Sequence, residues 1–221
     1  MREYYEAYDE RYKTIHARGC SWACEVPTPI VLETIRKYRL FAGTPMLEIG
    51  CGEGRDALAV LQGGYDLLAA DVSDEAISYC RKKAPGFAQC FQVLDCLRDP
   101  LDHRFGFIYS VAVLHMLVLD PHRELFYRFI HDHLLHGGLA LICSMGDGEK
   151  ESSSDVSSAF CETMRSHPSG EIAVAQTSCR IVSMPHFLDE IRSAGLVVVE
   201  YGLTASPPEF DSLLYAVVRK D

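Results

Sequence analysis

The chain of 221 residues is 48% hydrophobic with a formal net charge of −10, apolar enough to bury one sizeable core. Its acidic balance argues against a nucleic-acid groove, which needs clustered lysine and arginine, and no run of 18 apolar residues offers a membrane span. Nine cysteines scattered without a framework read as free thiols in a reducing compartment, and the start MREYYEAYDERYK is too polar for a secretory signal, so a soluble cytoplasmic protein is expected.

Residues 1–18 place Tyr5, Tyr8 and Tyr12 at i, i+3, i+7 spacing among charges, which predicts an amphipathic helix with an aromatic face. That face either packs on the domain or lies as a flap over a site. Next comes Cys20-Ser21-Trp22-Ala23-Cys24 with the only tryptophan. Trp22 closes one wall of a site or serves as a buried anchor. The C-x3-C spacing lacks the third cysteine of a radical-type iron–sulfur site, and no metal is expected. Pro27 and Pro29 introduce a helix of about residues 30–38.

Met46-Leu47-Glu48-Ile49 reads as a buried strand, followed by glycines at 50, 52 and 54 and a helical segment from Asp56. Glycines at such a turn allow positive φ and let a ligand approach the backbone. The dinucleotide fingerprint G-x-G-x-x-G fails here, because its third glycine position falls on Arg55. Tyr65–Asp71 reads as a second buried strand closing on an acid, with Ser73 capping a helix to Lys83. Ala88–Asp95 reads as a third strand, again closing on an acid. Asp71 is placed to accept from both hydroxyls of a ribose at the strand end.

Glu48, Gly50, Gly52 and Gly54 form E-x-G-x-G-x-G, which resembles the first motif of the class I S-adenosylmethionine-dependent methyltransferases. The resemblance covers roughly residues 44–144. It implies an α/β, Rossmann-like, doubly wound sheet of seven strands, mostly parallel with an antiparallel last strand and helices on both faces. It also implies S-adenosylmethionine as cofactor, with Glu48, Gly50, Cys51, Gly52 and Gly54 around its methionine part. Asp71 and Val72 would meet the ribose, and Asp95 and Cys96 the adenine. Phe105–Leu117 resembles the family's fourth strand and the loop beyond, although Gly106 stands where an aspartate is usual. Ser110 is assigned to the cofactor on that basis. His115 is the candidate acid or base, since an unperturbed imidazole titrates near neutrality.

Asp120-Pro121 starts a helix to about Leu135, which Gly137-Gly138 is expected to stop. His131, His133 and His136 on it read as a solvated face rather than a metal site. A fifth strand follows at 139–144. The serine-rich stretch 146–179 is read as an insertion with a short helix at 156–164 and an extended segment at 171–180, building an acceptor pocket. A helix from 183 to 194 and a strand pair, 196–201 and 213–219 around Pro207-Pro208, complete the chain. One domain is expected: a helical cap over 1–42, a cofactor core over 43–145, the insertion over 146–180, and the terminal helix and strands over 181–221.

The activity so implied is methyl transfer to a small-molecule acceptor by in-line displacement, with Tyr8, Tyr12 and Trp22 on the substrate side and neither nucleic acid nor membrane as partner. Two alternatives stay open. One is a chalcogen or metalloid acceptor, with Cys20, Cys24 or Cys179 meeting a soft centre. The other is a module that binds the cofactor without turnover.

Overall fold

Seven apolar segments pair into one twisted sheet, seen in a computed structural model that describes residues 2–204 and 210–221. In chain order its strands are β1 (Met46–Ile49), β2 (Leu67–Asp71), β3 (Phe91–Val93), β4 (Phe105–Val111), β5 (Leu134–Met145), β10 (Val197–Thr204) and β11 (Leu213–Arg219). The spatial order is β10-β11-β5-β4-β1-β2-β3. Strands β3, β2, β1, β4 and β5 run parallel, whereas β11 is antiparallel to both of its neighbours, β5 and β10. The reversed last strand therefore sits inside the sheet and leaves β10 at the edge. Met46, Leu47, Glu48 and Ile49 are all buried, as a strand covered on both faces requires.

Helices α1 (Ala7–His16), α2 (Pro29–Lys37), α3 (Arg55–Gln62), α4 (Asp74–Lys83), α5 (Asp120–His133) and α6 (Met184–Ser193) cover the sheet. Two apolar clusters form the core, one on each face. Ile35, Met46, Val60, Ile77, Phe107 and Tyr109 belong to one, and Leu47, Ile108, Phe126, Ile130, Ile142 and Phe187 to the other. Local signals fix the helix starts. Ser73 Oγ accepts the Ala76 N–H at 3.0 Å, and the acids Asp74 and Glu75 oppose Arg81, Lys82 and Lys83 across α4 in the sense that complements its dipole.

Several expected boundaries move. The third strand shrinks to Phe91–Val93, because Pro85–Cys90 coils into a 3-10 turn. Gly137-Gly138 does not stop α5, which ends at His133 with Leu134 already in β5. Both glycines lie inside that strand, where the register against β4 slips between Phe105 and Phe107. A Cβ on Gly138 would meet the carbonyl oxygens of Leu135 and Phe105 at 2.9 and 3.2 Å, so the bulge requires glycine. In the insertion, Val156–Ser158 is a single 3-10 turn. A hairpin of β7 (Glu162–His167) and β8 (Gly170–Ala175) replaces the rest of the expected helix. Two short strands, β6 (Ser152–Ser153) and β9 (Arg180–Ile181), pair at its base. The loop around Pro207-Pro208 lies outside the described residues.

The buried guanidinium of Arg123 joins α5 to α6 through two bonds of 2.6 Å to Glu190, and its Nη1 donates to the carbonyls of Leu114 and Leu117 at 2.9 and 3.2 Å. Tyr127 Oη donates to the same Glu190 at 3.0 Å. This network fixes the turn that follows β4.

Candidate functional site

Beyond Ile49 the chain must turn sharply from β1 into α3, and Gly50, Gly52 and Gly54 do so with φ of 75°, 52° and 79°. L side chains rarely adopt such values. The turn is tied to the next strand, where Ala70 O accepts the N–H groups of Gly50 and Cys51 at 2.7 and 2.9 Å. Gly52 N–H donates to Asp71 Oδ2 and Ser73 N–H to Asp71 Oδ1, each at 2.8 Å. At the end of β3, Asp95 Oδ1 accepts Leu97 N–H and its Oδ2 accepts Tyr5 Oη, both at 2.9 Å.

The carboxyl edges of β1, β2 and β3 open on one cleft. Glu48, Gly50, Cys51, Gly52, Asp71, Val72, Asp95 and Cys96 line it, and so do Tyr8, Tyr12 and Trp22. A Cβ on Gly52 would lie 2.7 Å from Tyr12 Oη. Burial raises the Asp71 carboxyl above the usual carboxylate range, although two backbone N–H groups oppose the rise. Glu48, 2% exposed, is pushed further up by burial and then by Asp56, while its side chain accepts Tyr109 Oη at 3.0 Å. Burial likewise raises the Cys96 thiol.

Three expected site residues lie off this wall. Gly54 faces away, where a Cβ would sit 3.0 Å from Cys80 Sγ and 3.4 Å from Phe91; it lets α3 start close to α4 and β3. Ser110 points to the opposite face from Val111, which does line the cleft, because side chains alternate along a strand. Its Oγ has no hydrogen-bond partner among the described residues. His115 is 4% exposed with its ring edge-on to Phe210 at 6.1 Å, and among the described residues its Nδ1 makes no hydrogen bond. Burial, and then the Arg123 charge, push its pKa down to about 4. Its neighbours Val113, Met116 and Leu117 reach the wall instead.

Sequence reasoning passed over Tyr5, Glu53, Arg55 and Phe210, all of which line the cleft. Tyr5 shares the i, i+3, i+7 stripe with Tyr8 and Tyr12, so that periodicity carried the signal. Nothing in the sequence pointed to Phe210, which is brought in by the start of β11. Cys20, Cys24 and Cys179 do not line the cleft. Among the described residues, no group of three or more His, Cys, Asp or Glu side chains is arranged to hold a metal ion.

The N-terminal segment, which lines one side of the cleft, is tied down by polar anchors. Asp56 accepts the Thr28 N–H at 2.6 Å and Thr28 Oγ1 at 2.9 Å. Arg11, 3% exposed, donates to Ala175 O, Gln176 O and Thr177 Oγ1 at 2.7 to 3.0 Å through Nη2. Its guanidinium lies 4.6 Å from the centroids of both Tyr8 and Trp22. Cation–π contact of this kind suits a desolvated arginine.

Residues 46–138 match the methyltransferase-domain family model. No curated protein matches the chain. Among solved structures, the chain is similar to one from work on the conversion of a disulfide bond into a thioacetal group during echinomycin biosynthesis. The two share 21% identity over 98% of this chain and 91% of that one, with a TM-score of 0.68. The CcbJ methyltransferase from Streptomyces caelestis is 17% identical over 96% and 98% of the two chains, also at 0.68. The glycopeptide N-methyltransferase MtfA, in complex with S-adenosylmethionine, is 17% identical over 87% and 93%, at 0.65. At these identities the structural likeness speaks for the fold. Residues 46–138, which hold the glycine turn and the strands beyond it, thus carry a methyltransferase domain, and the chain has the fold of those methyltransferase structures.

Proposed function

We propose that this enzyme methylates a small molecule bound against the aromatic side of the cleft, in the cytoplasm. The observation that carries the reading is the convergence of Gly52, Asp71 and Asp95 on one cleft whose remaining wall is supplied by Tyr8, Trp22, Met116, Leu117 and Phe210. Nine free thiols suit a reducing compartment. One structure of similar fold is a glycopeptide N-methyltransferase, and another comes from work on echinomycin biosynthesis, which supports a modest-sized acceptor.

The residues fit the cofactor. Gly50 and Gly52 leave the turn without side chains where Cβ atoms would strike Val113 and Tyr12. Asp71 keeps lone pairs beyond its two backbone bonds for the ribose hydroxyls, and Asp95 and Cys96 stand at the adenine end. Glu53, Asp56, Asp71 and Asp95 outnumber Arg55 on the lining, which suits a cationic ligand. When bound, S-adenosylmethionine supplies an electrophilic methyl group on a sulfonium whose departure leaves a neutral thioether. The chain's own work is then to hold the acceptor in line and to exclude water, a positioning effect worth about 7–11 kcal/mol. Tyr8, Trp22, Met116 and Phe210 present flat or apolar surface, so an acceptor with an aromatic or apolar body fits best.

The test pairs calorimetry against S-adenosylmethionine and S-adenosylhomocysteine with a methyl-release assay over a panel of such acceptors. Binding of both forms together with turnover on at least one aromatic acceptor is expected. Binding with no transfer to any of them would favour a module without turnover.

A further inference from the structure

Glu53 stands inside the glycine turn, between Gly52 and Gly54, yet its carboxylate does not serve that turn. It is 4% exposed and accepts three donors from the N-terminal segment. Trp22 N–H and His16 Nε2 reach Oε1 at 2.8 Å, and Ala23 N–H reaches Oε2 at 2.7 Å. The His16 ring is fixed in turn by Glu75 at 2.8 Å on Nδ1 and by stacking on Tyr79 at 4.4 Å. On its other side the Trp22 loop is held by the insertion. His167 of β7 bonds to Ser21 O at 2.8 Å and stacks on the Trp22 ring, whose centroid also lies 4.6 Å from the Arg11 guanidinium. Bonds from two backbone N–H groups to one carboxylate are charge-assisted, roughly twice as strong as neutral ones.

We propose that Glu53 is a positioning residue that couples the cofactor turn to the Trp22 wall, so that a filled turn fixes the acceptor side of the cleft. The coupling follows from connectivity. Any ligand that settles Gly50–Gly54 also settles Glu53, and through it the backbone at Trp22 and Ala23. Glutamine is a discriminating substitute, because it keeps the shape but turns one acceptor oxygen into a donor. That NH2 group must then face an N–H of Trp22, Ala23 or His16. The inference rests on the reading of the cleft as the adenosyl site.

The experiment is residue-resolved amide exchange on the full chain and on Glu53→Gln, each with and without saturating S-adenosylhomocysteine. In the wild type the Trp22 and Ala23 amides exchange slowly, and the added ligand slows them further. In Glu53→Gln they exchange about tenfold to a hundredfold faster, and ligand no longer slows them, while amides of β5 keep their protection and show that the fold persists. Emission of Trp22, the sole tryptophan, responds to the ligand in the wild type and not in the variant. Wild-type Trp22 and Ala23 amides unaffected by bound ligand would overturn the coupling, whether or not the variant folds. Ligand-dependent slowing that survives in a folded Glu53→Gln would overturn it as well. Failure of the wild type to bind S-adenosylhomocysteine at all, measured by calorimetry on the same sample, would instead bring down the adenosyl-site reading beneath it.

Discussion

Asp71 accepts the backbone N–H of Gly52 at 2.8 Å, so the acid that closes β2 also holds the turn that leaves β1. One side chain thus shapes the cradle and offers its remaining lone pairs to whatever lies in it. Asp71→Ala is expected to weaken S-adenosylhomocysteine binding by about 1.5–3 kcal/mol, the worth of a charged hydrogen-bonding group. Thermal unfolding should also fall, because the N–H groups of Gly52 and Ser73 lose their acceptor. Calorimetry and a melting curve read the two effects separately. Unchanged affinity beside a lowered melting point would leave Asp71 as turn support alone.

Gly52 sits beneath the Tyr12 hydroxyl, and this pair lends itself to a double-mutant cycle. Gly52→Ala places a Cβ 2.7 Å from that oxygen at a φ of +52°, so both crowding and αL strain of about 1–3 kcal/mol are expected. Removing the hydroxyl in Gly52→Ala/Tyr12→Phe relieves the crowding and should recover part of the lost stability. It should not recover ligand binding, because the added methyl group still projects into the cleft. Denaturant titrations and calorimetry on the four proteins check both statements. Full recovery of binding in the double variant would show that Gly52 serves Tyr12 packing and not a ligand.

Legibility in the sequence followed the range of the interaction. The β1 turn was plain because glycine spacing is a local signal, and Asp71 was plain because a buried strand ending in an acid is one too. Ser110 was assigned to the cofactor by resemblance, and strand alternation from Tyr109 and Val111 turns its side chain to the far face. Gly137-Gly138 looked like a helix stop because glycines after a helix usually are. Only the slipped register of β4 against β5 shows them to be a bulge. Glu53 and Phe210 were invisible, since their importance comes from segments about 30 residues earlier in one case and from the packing of β11 in the other.

Glu48 gives a stability profile with a definite sign. Its carboxyl is raised above the ordinary value of 4.5, first by burial and then by Asp56. The folded chain therefore keeps this proton to higher pH than the unfolded chain does. Within that window the folded state binds more protons, so stability falls as pH rises. Glu48→Gln removes the ionisation while its amide oxygen still accepts Tyr109 Oη. Its stability relative to the wild type should be level at pH 4 and should improve as pH rises beyond 4.5. Urea titrations across that range check it, and a difference that does not change with pH would refute the assignment.

Arg123 binds Glu190 through two bonds of 2.6 Å and also donates to Leu114 O and Leu117 O. Arg123→Met leaves Glu190 with the Tyr127 hydroxyl but without its two charged bonds, and takes the donor from the Leu114 and Leu117 carbonyls. A loss of about 3–5 kcal/mol in unfolding free energy is expected, as for other broken buried pairs. Arg123→Met/Glu190→Leu should recover much of it, because an apolar pair leaves no buried charge without a partner. A single variant within 1 kcal/mol of the wild type, on the scale of exposed pairs, would show that the network is not buried in solution.

His115 separates a catalytic from a packing role by its sign. Burial and the nearby Arg123 charge hold its pKa at about 4, against an ordinary 6.5, so the folded chain carries the neutral ring at neutral pH. Between those two values the unfolded chain binds the extra proton, and stability must fall as pH drops through the window, by about 3 kcal/mol in all. His115→Phe should flatten this acid limb in urea titrations. A neutral ring whose pKa lies well below the working pH is a poor proton acceptor. If packing is its whole role, His115→Phe retains S-adenosylhomocysteine affinity and, once an acceptor is identified, most of its turnover at pH 7. A hundredfold fall in kcat with affinity unchanged would instead make the imidazole the group that takes the acceptor's proton, and the ring would then have to reach the cleft wall that Val113 and Met116 line in its place.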